Sequence, residues 1–209
     1  MNRILLVAFV LISAAACGQR NEDMETVFNH ERSVGAFIGF GAKFTELQGQ
    51  PAMLNGLEFN LVIGRALNLG VVGYGLSTEV LNHDVVAAGD HYHFSMGYGG
   101  LNIEPVFFSR KMIHFTTPII IGAGAVTQSE SSYLSWNYEN YEWSADDPYR
   151  SDSFLFLEPG INAEVNLFKF MRFTAGASYR LISDVQIPGV SQKQTEGLSA
   201  HVGLRLGWF

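Results

Sequence analysis

A short segment near the middle of the chain carries side chains that could perform hydrolysis. It reads His91-Tyr92-His93-Phe94-Ser95. In such a site Ser95 would act as the nucleophile, His93 as its general base and Glu104 as the carboxylate that orients the histidine. A strand separates residues i and i+2 by about 6–7 Å, so the serine and the histidine are poorly placed for a direct hydrogen bond. The other interpretation of the segment is a polar entrance to a strand.

Two polar segments contain residue types that ligate metal ions. Imidazole and carboxylate groups, which suit a divalent metal, occur together in the first: His83, Asp84, Asp90, His91 and His93. Acidic residues that could hold calcium occur in the second: Asp146, Asp147 and Asp152. The first set has irregular spacing, the second lacks the EF-hand pattern, and the chain has no glycine-rich phosphate loop or dinucleotide fingerprint. We therefore expect neither a metal site nor a cofactor.

The composition excludes several classes of protein. The chain has 209 residues, with 13 Lys+Arg against 20 Asp+Glu and a formal charge of −7, which argues against a nucleic-acid-binding protein. Its single cysteine excludes a disulfide scaffold and a cysteine-rich zinc site. Hydrophobic residues reach 47%, and charged residues only 16%, below the roughly 25% of soluble domains. This balance favours β-structure whose outer surface does not face water.

The first residues have the pattern of an export signal. Arg3 precedes a run of nine apolar residues, which is followed by small residues. The apolar run is too short to span a bilayer, which needs about 20 residues. We predict a signal peptide over 1–18 and a polar linker over 19–31. Cys17 leaves lipidation open, since the alanines before it are similar to those of a bacterial lipobox.

After the linker, apolar and polar residues alternate with a period of two, which predicts β-strands. Eight segments show the pattern: about 33–45, 54–66, 69–81, 92–108, 113–128, 153–167, 171–183 and 196–209. Short turns are predicted near 66–69, 109–112 and 168–170. Longer loops are predicted at 46–53, 82–91, 129–152 and 184–195. An even number of strands with short turns at one end and long loops at the other is typical of bacterial outer-membrane barrels.

Each predicted strand has an apolar face and a polar face. The apolar face of the third strand contains Val72, Tyr74, Leu76 and Val80, and that of the fourth begins with Phe94, Met96 and Tyr98. At Gly99-Gly100 the alternation changes phase, which predicts a β-bulge. Glycine is the commonest residue of the polar faces, which suits a cramped interior better than a water-facing exterior. We therefore predict that the apolar faces point outward to lipid, and not inward as in a lipocalin-like barrel.

The predicted fold is an all-β, closed antiparallel up-and-down transmembrane β-barrel over residues 32–209, with eight strands or, alternatively, ten. Aromatic residues lie at the strand ends, as in the interfacial girdles of membrane barrels. The last segment, LSAHVGLRLGWF, ends on Phe209, like the terminal insertion signal of such barrels. With these features the sequence resembles the small OmpA/OmpX-type outer-membrane β-barrel family. The resemblance implies a monomer in the bacterial outer membrane, with outer-membrane lipid and the barrel-assembly machinery as partners.

An eight-stranded barrel has room inside only for its own side chains, so charges on its inner face must be paired. Seven residues are predicted to form a lumen charge network: Glu58, Glu104, Glu158, Glu164, Arg172, Arg180 and Arg205. Strand pairing that is symmetric about Lys169 would set Glu158 opposite Arg180 and Glu164 diagonal to Arg172. We expect this network to plug the lumen on the short-turn side. The alternative is that each charge is separately solvated in a water-filled pore.

The longest predicted loop, 129–152, alternates aromatic residues with polar and acidic ones. Its candidate binding residues are Tyr133, Trp136, Tyr138, Tyr141 and Trp143. Exposed rings give contact area at a low cost in conformational entropy. The alternative is that Tyr133 to Trp143 only extend strands five and six above the membrane as a hairpin. We therefore predict a non-enzymatic structural, adhesion or surface-binding role through extracellular loops, with an unidentified ligand. The alternatives are a narrow channel for small solutes and a lipid-modifying, lipid A deacylase-like hydrolase that uses Ser95.

Overall fold

The computed structural model describes residues 34–78, 80–82, 92–130, 135–137, 142–144, 150–183 and 195–209. The predicted signal peptide over 1–18 and the linker over 19–31 lie outside these ranges. Within them, no helix is both long enough and apolar enough to cross a membrane.

The described residues form β-strands almost throughout. In chain order the strands are β1 (Val34–Leu47), β2 (Gln50–Ile63), β3 (Leu67–Leu76), β4 (Val80–Asn82), β5 (Tyr92–Phe107), β6 (Ile113–Thr116), β7 (Ile119–Glu130), β8 (Ser135–Asn137), β9 (Glu142–Ser144), β10 (Arg150–Phe168), β11 (Met171–Ile182) and β12 (Gly197–Trp208). The hairpin of β8 and β9 is a separate two-stranded sheet. The strand bounds agree with the predicted segments to within a few residues, except where noted below.

Eight strands close into a ring of antiparallel pairs, in the order β1, β2, β3, β5, β7, β10, β11, β12 and back to β1. The short strand β6 pairs with β5 and β10, the same two strands that flank β7. β6 and β7 are therefore two segments of one strand of the barrel wall. Pro118 separates them, since proline has no N–H for the ladder. The predicted closed eight-stranded barrel is therefore confirmed.

The wall of the barrel is apolar outside and polar inside over most of its height. Ile38 and Ile121 are each 51% exposed on the outer face, whereas Glu158 and Arg180 are fully buried inside. Period-two alternation produces this arrangement, because successive side chains of a strand point to opposite faces. The exposed residues include Phe40, Leu57, Phe59, Leu61, Leu101, Ile103, Leu155, Ile161, Leu198 and Val202.

The longer loop predicted at 46–53 is wrong, because β1 and β2 continue to a two-residue turn. Leu47 pairs with Gln50, and both residues between them have positive φ, 53° at Gln48 and 72° at Gly49. This is the geometry of a type I′ hairpin turn, which matches the right-handed twist of the strands. Because the residues around the turn are polar, the alternation of apolar and polar residues does not show where the two strands end.

The β-bulge predicted at Gly99-Gly100 is also wrong. β5 pairs with β3 and β7 in a constant register through both glycines. Its even-numbered residues therefore face inward along the whole strand, which reverses the predicted outward direction for Phe94, Met96 and Tyr98. The inward direction also holds for the third strand's Val72, Tyr74, Leu76 and Val80, which are buried or packed against the buried core. The reason is that part of the lumen is filled by apolar side chains, so residue type alone does not identify the face.

Candidate functional site

The lumen is filled by layers of side chains that differ in chemistry. We call the end with the turns 64–66, 108–112 and 169–170 the turn end, and the opposite end the loop end. Charged residues lie toward the turn end, a lysine–glutamate pair lies near mid-height, and apolar residues lie toward the loop end. We take this filled interior as the candidate functional site.

Arg205 of β12 holds three carboxylates near the turn end. Its Nε and Nη2 donate to Glu58 at 2.7 and 3.1 Å, and its Nη1 and Nη2 donate to Glu104 at 2.7 and 2.9 Å. Nη1 also donates to Glu164. Two bidentate pairs on one guanidinium are strong and geometrically specific. Arg205 is therefore the centre of the cluster, which it forms with carboxylates from β2, β5 and β10.

Further groups complete the bonding of these carboxylates. Glu164 accepts from Arg172 at 3.4 Å and is 2.8 Å from the Nε2 of His114. The amides of Asn60 and Asn102 donate to Glu58 at 3.0 Å and to Glu104 at 3.2 Å. These contacts make up the Arg205 cluster, defined as Glu58, Asn60, Asn102, Glu104, His114, Glu164, Arg172 and Arg205. All eight lie on inner faces, and their carboxylates are bonded by protein groups.

Nearer mid-height, Lys43 binds Glu158 across the lumen. Their Nζ–Oε1 distance is 2.6 Å, and both side chains are almost fully buried. Ser178 donates to the same Oε1 at 2.5 Å. The ammonium group of Lys43 also lies 3.6 Å from the ring centre of Tyr74, a cation–π contact that strengthens when water is excluded.

The expected pairing of Glu158 with Arg180 is corrected by this geometry. From Phe156 to Asn166 the β10–β11 register is symmetric about Lys169 as predicted, with Glu164 opposite Thr174, and it shifts by one residue only next to the turn, where Phe168 pairs with Met171. However, Glu158 is bonded to Lys43 and Ser178, while Arg180 donates to the Thr195 carbonyl at 3.1 Å and to the Tyr98 hydroxyl at 3.2 Å. Backbone register fixes neighbouring positions, but long side chains reach across a narrow lumen to other strands.

Toward the loop end the interior is apolar. Val80, Phe94, Met96, Val126 and Phe154 have at most 4% of their surface exposed. Phe156 packs edge-on against Tyr98, with ring centres 4.9 Å apart. Below this apolar layer, a cavity of about 50 Å³ lies among the charged residues, enough for a few water molecules. The described interior is therefore packed with apolar side chains toward the loop end and with bonded charged groups toward the turn end.

The structure separates the residues of the possible hydrolase site. Ser95 is exposed on the outer face of β5, whereas Glu104 is fully buried on the inner face and bound to Arg205. The barrel wall lies between the two side chains, so the Ser95–His93–Glu104 arrangement is not formed. The side chain of His93 lies outside the described part.

Other candidate residues fall partly outside the described ranges. His83, Asp84, Asp90, His91, Asp146 and Asp147 lie outside them, as do Tyr133, Tyr138 and Tyr141. Asp152 caps the amide of the next residue, Ser153, at 2.8 Å. No group of three metal-ligating side chains occurs among the residues described. Trp136 and Trp143 occupy opposite positions in the β8–β9 hairpin.

Two members of the lumen site were not among the predicted network residues. Lys43 lies on the inner face of β1, and His114 on that of β6. Strand alternation is the signal that could have found both, because each has apolar neighbours that face outward. Of the seven predicted residues, five belong to the Arg205 cluster, and Glu158 and Arg180 lie above it.

Comparison with known proteins gives matches in structure only. No family model and no curated protein matches the sequence. A major outer membrane protein from Thermus thermophilus superposes with a TM-score of 0.58 at 9% identity, over 84% of this chain and 100% of that one. Neisserial surface protein A superposes with a TM-score of 0.50 at 10% identity, over 83% of this chain and 96% of the other. The chain has the fold of the small outer-membrane β-barrels.

Proposed function

We propose that this protein is a closed outer-membrane barrel that holds its long loops at the cell surface and has a structural or surface-binding role. The observation that carries the proposal is the combination of an apolar outer wall with an ion-paired, filled lumen. Burying charges inside while exposing large apolar side chains is unfavourable in water and favourable in lipid.

The outer wall supports insertion into a membrane. Large apolar side chains cover it at mid-height, including Leu57 at 63% exposed and Leu155 at 67%. Monomeric soluble proteins rarely expose a continuous apolar surface of this extent. In a bilayer the same surface contacts hydrocarbon, and the closed ring leaves no unpaired strand edge.

The lumen supports a role other than bulk transport. A general porin needs about 16 strands to enclose an aqueous channel, and here eight strands enclose a packed interior. The alternative of a narrow channel would require the apolar layer around Phe94 and Phe156 to open. The hydrolase alternative loses its support because Ser95 and Glu104 face opposite sides of the wall.

The connections at the loop end support a surface role. Long segments join Asn82 to Tyr92, Glu130 to Arg150 and Ile182 to Gly197, whereas the turn end has only short turns. Loops placed on a rigid scaffold are common sites of binding. The aromatic residues of the second segment, including Trp136 and Trp143, are our candidates for contact with a partner.

Planar-bilayer recordings should detect no steady nanosiemens current from the inserted protein. An apolar layer of buried side chains crosses the described lumen, and ions do not cross such a layer readily. The folded state is verified first by heat-modifiable gel migration, and a trimeric porin serves as the positive control. A stable open current from heat-modifiable protein would contradict the sealed lumen and favour the channel.

An epitope tag inserted between residues 138 and 141 should be labelled by antibody on intact Gram-negative cells. As a control, the same tag is inserted between residues 109 and 111, in one of the short turns at the turn end. This tag should be labelled only after the cells are permeabilised. Flow cytometry measures both. If labelling is reversed, or equal at the two sites, the proposed orientation is incorrect.

A further inference from the structure

The turn end carries a set of exposed cations. They are Arg65, Arg110, Lys111 and Lys169, and every one of the three short turns contributes at least one. The turns 64–66, 108–112 and 169–170 contain no Asp or Glu. The remaining described cations of known side-chain position, such as Lys43 and Arg205, are buried in the lumen. We call the four exposed residues the basic rim.

Apolar side chains adjoin the basic rim on the outer wall. Phe108 is 70% exposed, Phe168 and Phe170 are each 58% exposed, and Trp208 is 79% exposed. The rings of Phe168 and Phe170 are stacked, with centres 5.6 Å apart. Aromatic rings of this kind sit at the headgroup level of a bilayer. The cations therefore lie on turns at the edge of the apolar wall.

The backbone at the turn end adopts a left-handed conformation at two of these exposed residues. Arg65 and Phe108 both have φ of 58°, a left-handed conformation that favours glycine and is costly for larger residues. The Ala66 amide donates to the Ile63 carbonyl and closes a turn whose two central residues are Gly64 and Arg65. Arg65 is the second of these, a position where glycine is the preferred residue. A large cation and a large aromatic residue thus occupy two positions where the backbone favours glycine.

We propose that the basic rim binds the phosphate groups of anionic phospholipids in the leaflet that faces the turn end. The proposal rests on the membrane insertion proposed above and adds a lipid specificity to it. Arginine guanidinium groups match phosphate geometry, and lysines add compact positive charge. A water-soluble anion would need the cations alone, whereas a lipid accounts for both the cations and the adjoining aromatic residues.

Electron spin resonance with spin-labelled lipids tests this proposal. The protein is reconstituted into phosphatidylcholine vesicles that contain a trace of labelled phosphatidylglycerol or labelled phosphatidylcholine, and the motionally restricted fraction is measured. For the wild type, a phosphatidylglycerol molecule whose phosphate binds one cation of the basic rim should be preferred over phosphatidylcholine by about five-fold. The R65Q/R110Q/K111Q/K169Q variant should lose this preference. R150Q, which removes a cation from a strand end at the loop end, is the matched control and should retain it.

High salt gives the same test without mutation. The preference of the wild type should collapse in 1 M salt, where the Debye length is only about 3 Å. Equal restriction of the two lipids by the wild type, or an unchanged preference in the four-site variant, would overturn the proposal. Failure of the proposed membrane insertion is a distinct result, because no restricted lipid of either kind would then be detected. If the four-site variant does not fold, R65Q/K169Q and the salt titration decide the question.

Discussion

Replacing Arg205 with methionine should lower the free energy of unfolding by about 3–5 kcal/mol. The substitution keeps much of the side-chain volume but leaves Glu58, Glu104 and Glu164 buried without their shared guanidinium group. Removing one partner of a buried ion pair is costly because the remaining charge has neither water nor a counter-ion. Urea unfolding in phosphatidylcholine vesicles, followed by tryptophan fluorescence, measures the change.

Glu46→Gln is the control for this substitution. Glu46 is exposed near the end of β1, and surface substitutions away from special features usually stay within about 0.5 kcal/mol. In the R205M background, Glu104→Gln should restore part of the lost stability, because it removes one of the stranded charges. If R205M and E46Q unfold at the same urea concentration, the carboxylates are solvated and the plugged lumen is wrong.

Replacing Leu57 with arginine should cost about 2–4 kcal/mol, the range for a cation at the lipid-facing midplane of a barrel. Leu57 lies near the middle of β2, faces outward and is 63% exposed. On a water-facing surface the same substitution would be close to neutral. The measured effect therefore reports which solvent contacts the outer wall.

Glu46→Arg is the control for this second substitution. Glu46 is exposed near the Gln48–Gly49 turn, at the end of β1, where the expected cost of a cation falls to about 0–1 kcal/mol. Both variants are refolded into vesicles and unfolded in urea. A near-neutral L57R in protein that is fully inserted would mean that Leu57 does not face hydrocarbon, contrary to the outer wall described above.

The sequence is sufficient to predict the ring of strands and, for most strands, that the apolar face points outward and the polar face inward. Alternation around Ile38, Ile121 and Glu158 predicts which side chains face outward, because a strand leaves only two directions for a side chain. Alternation fails in β3, where Val72 and Tyr74 face inward. In this half of β3 the outward positions are Gly73 and Gly75, which give no hydropathy signal, so the apolar residues between them were assigned to the wrong face.

The hydrolase alternative and the predicted β-bulge fail for the same structural reason. Ser95 and Glu104 are nine residues apart, an odd separation that puts them on opposite faces of an unbroken strand. The phase change expected at Gly99-Gly100 would have brought them to one face. Two adjacent glycines permit a bulge but do not require it, and the constant register of β5 shows that neighbouring strands pair through them without one.

Contacts across the lumen were the least predictable part of the site. Lys43 and Glu158 are 115 residues apart and lie on strands that are not neighbours. Their meeting depends on the tilt and stagger of the closed ring, which no local pattern encodes. By contrast, Glu164 and Arg172 follow from a short hairpin, and their proximity could be predicted from the turn at Lys169 alone.

The position of Arg205 has a consequence for assembly. It lies on β12, which joins β11 to β1, while its carboxylate partners lie on β2, β5 and β10. A sheet that lacks only β12 would hold three acidic groups with their principal cation missing. The final strand therefore contributes both the last seam of hydrogen bonds and the charge neutralisation of the interior. An intermediate without β12 has neither the closing hydrogen bonds nor the neutralised carboxylates. We therefore expect closure of the barrel to be cooperative.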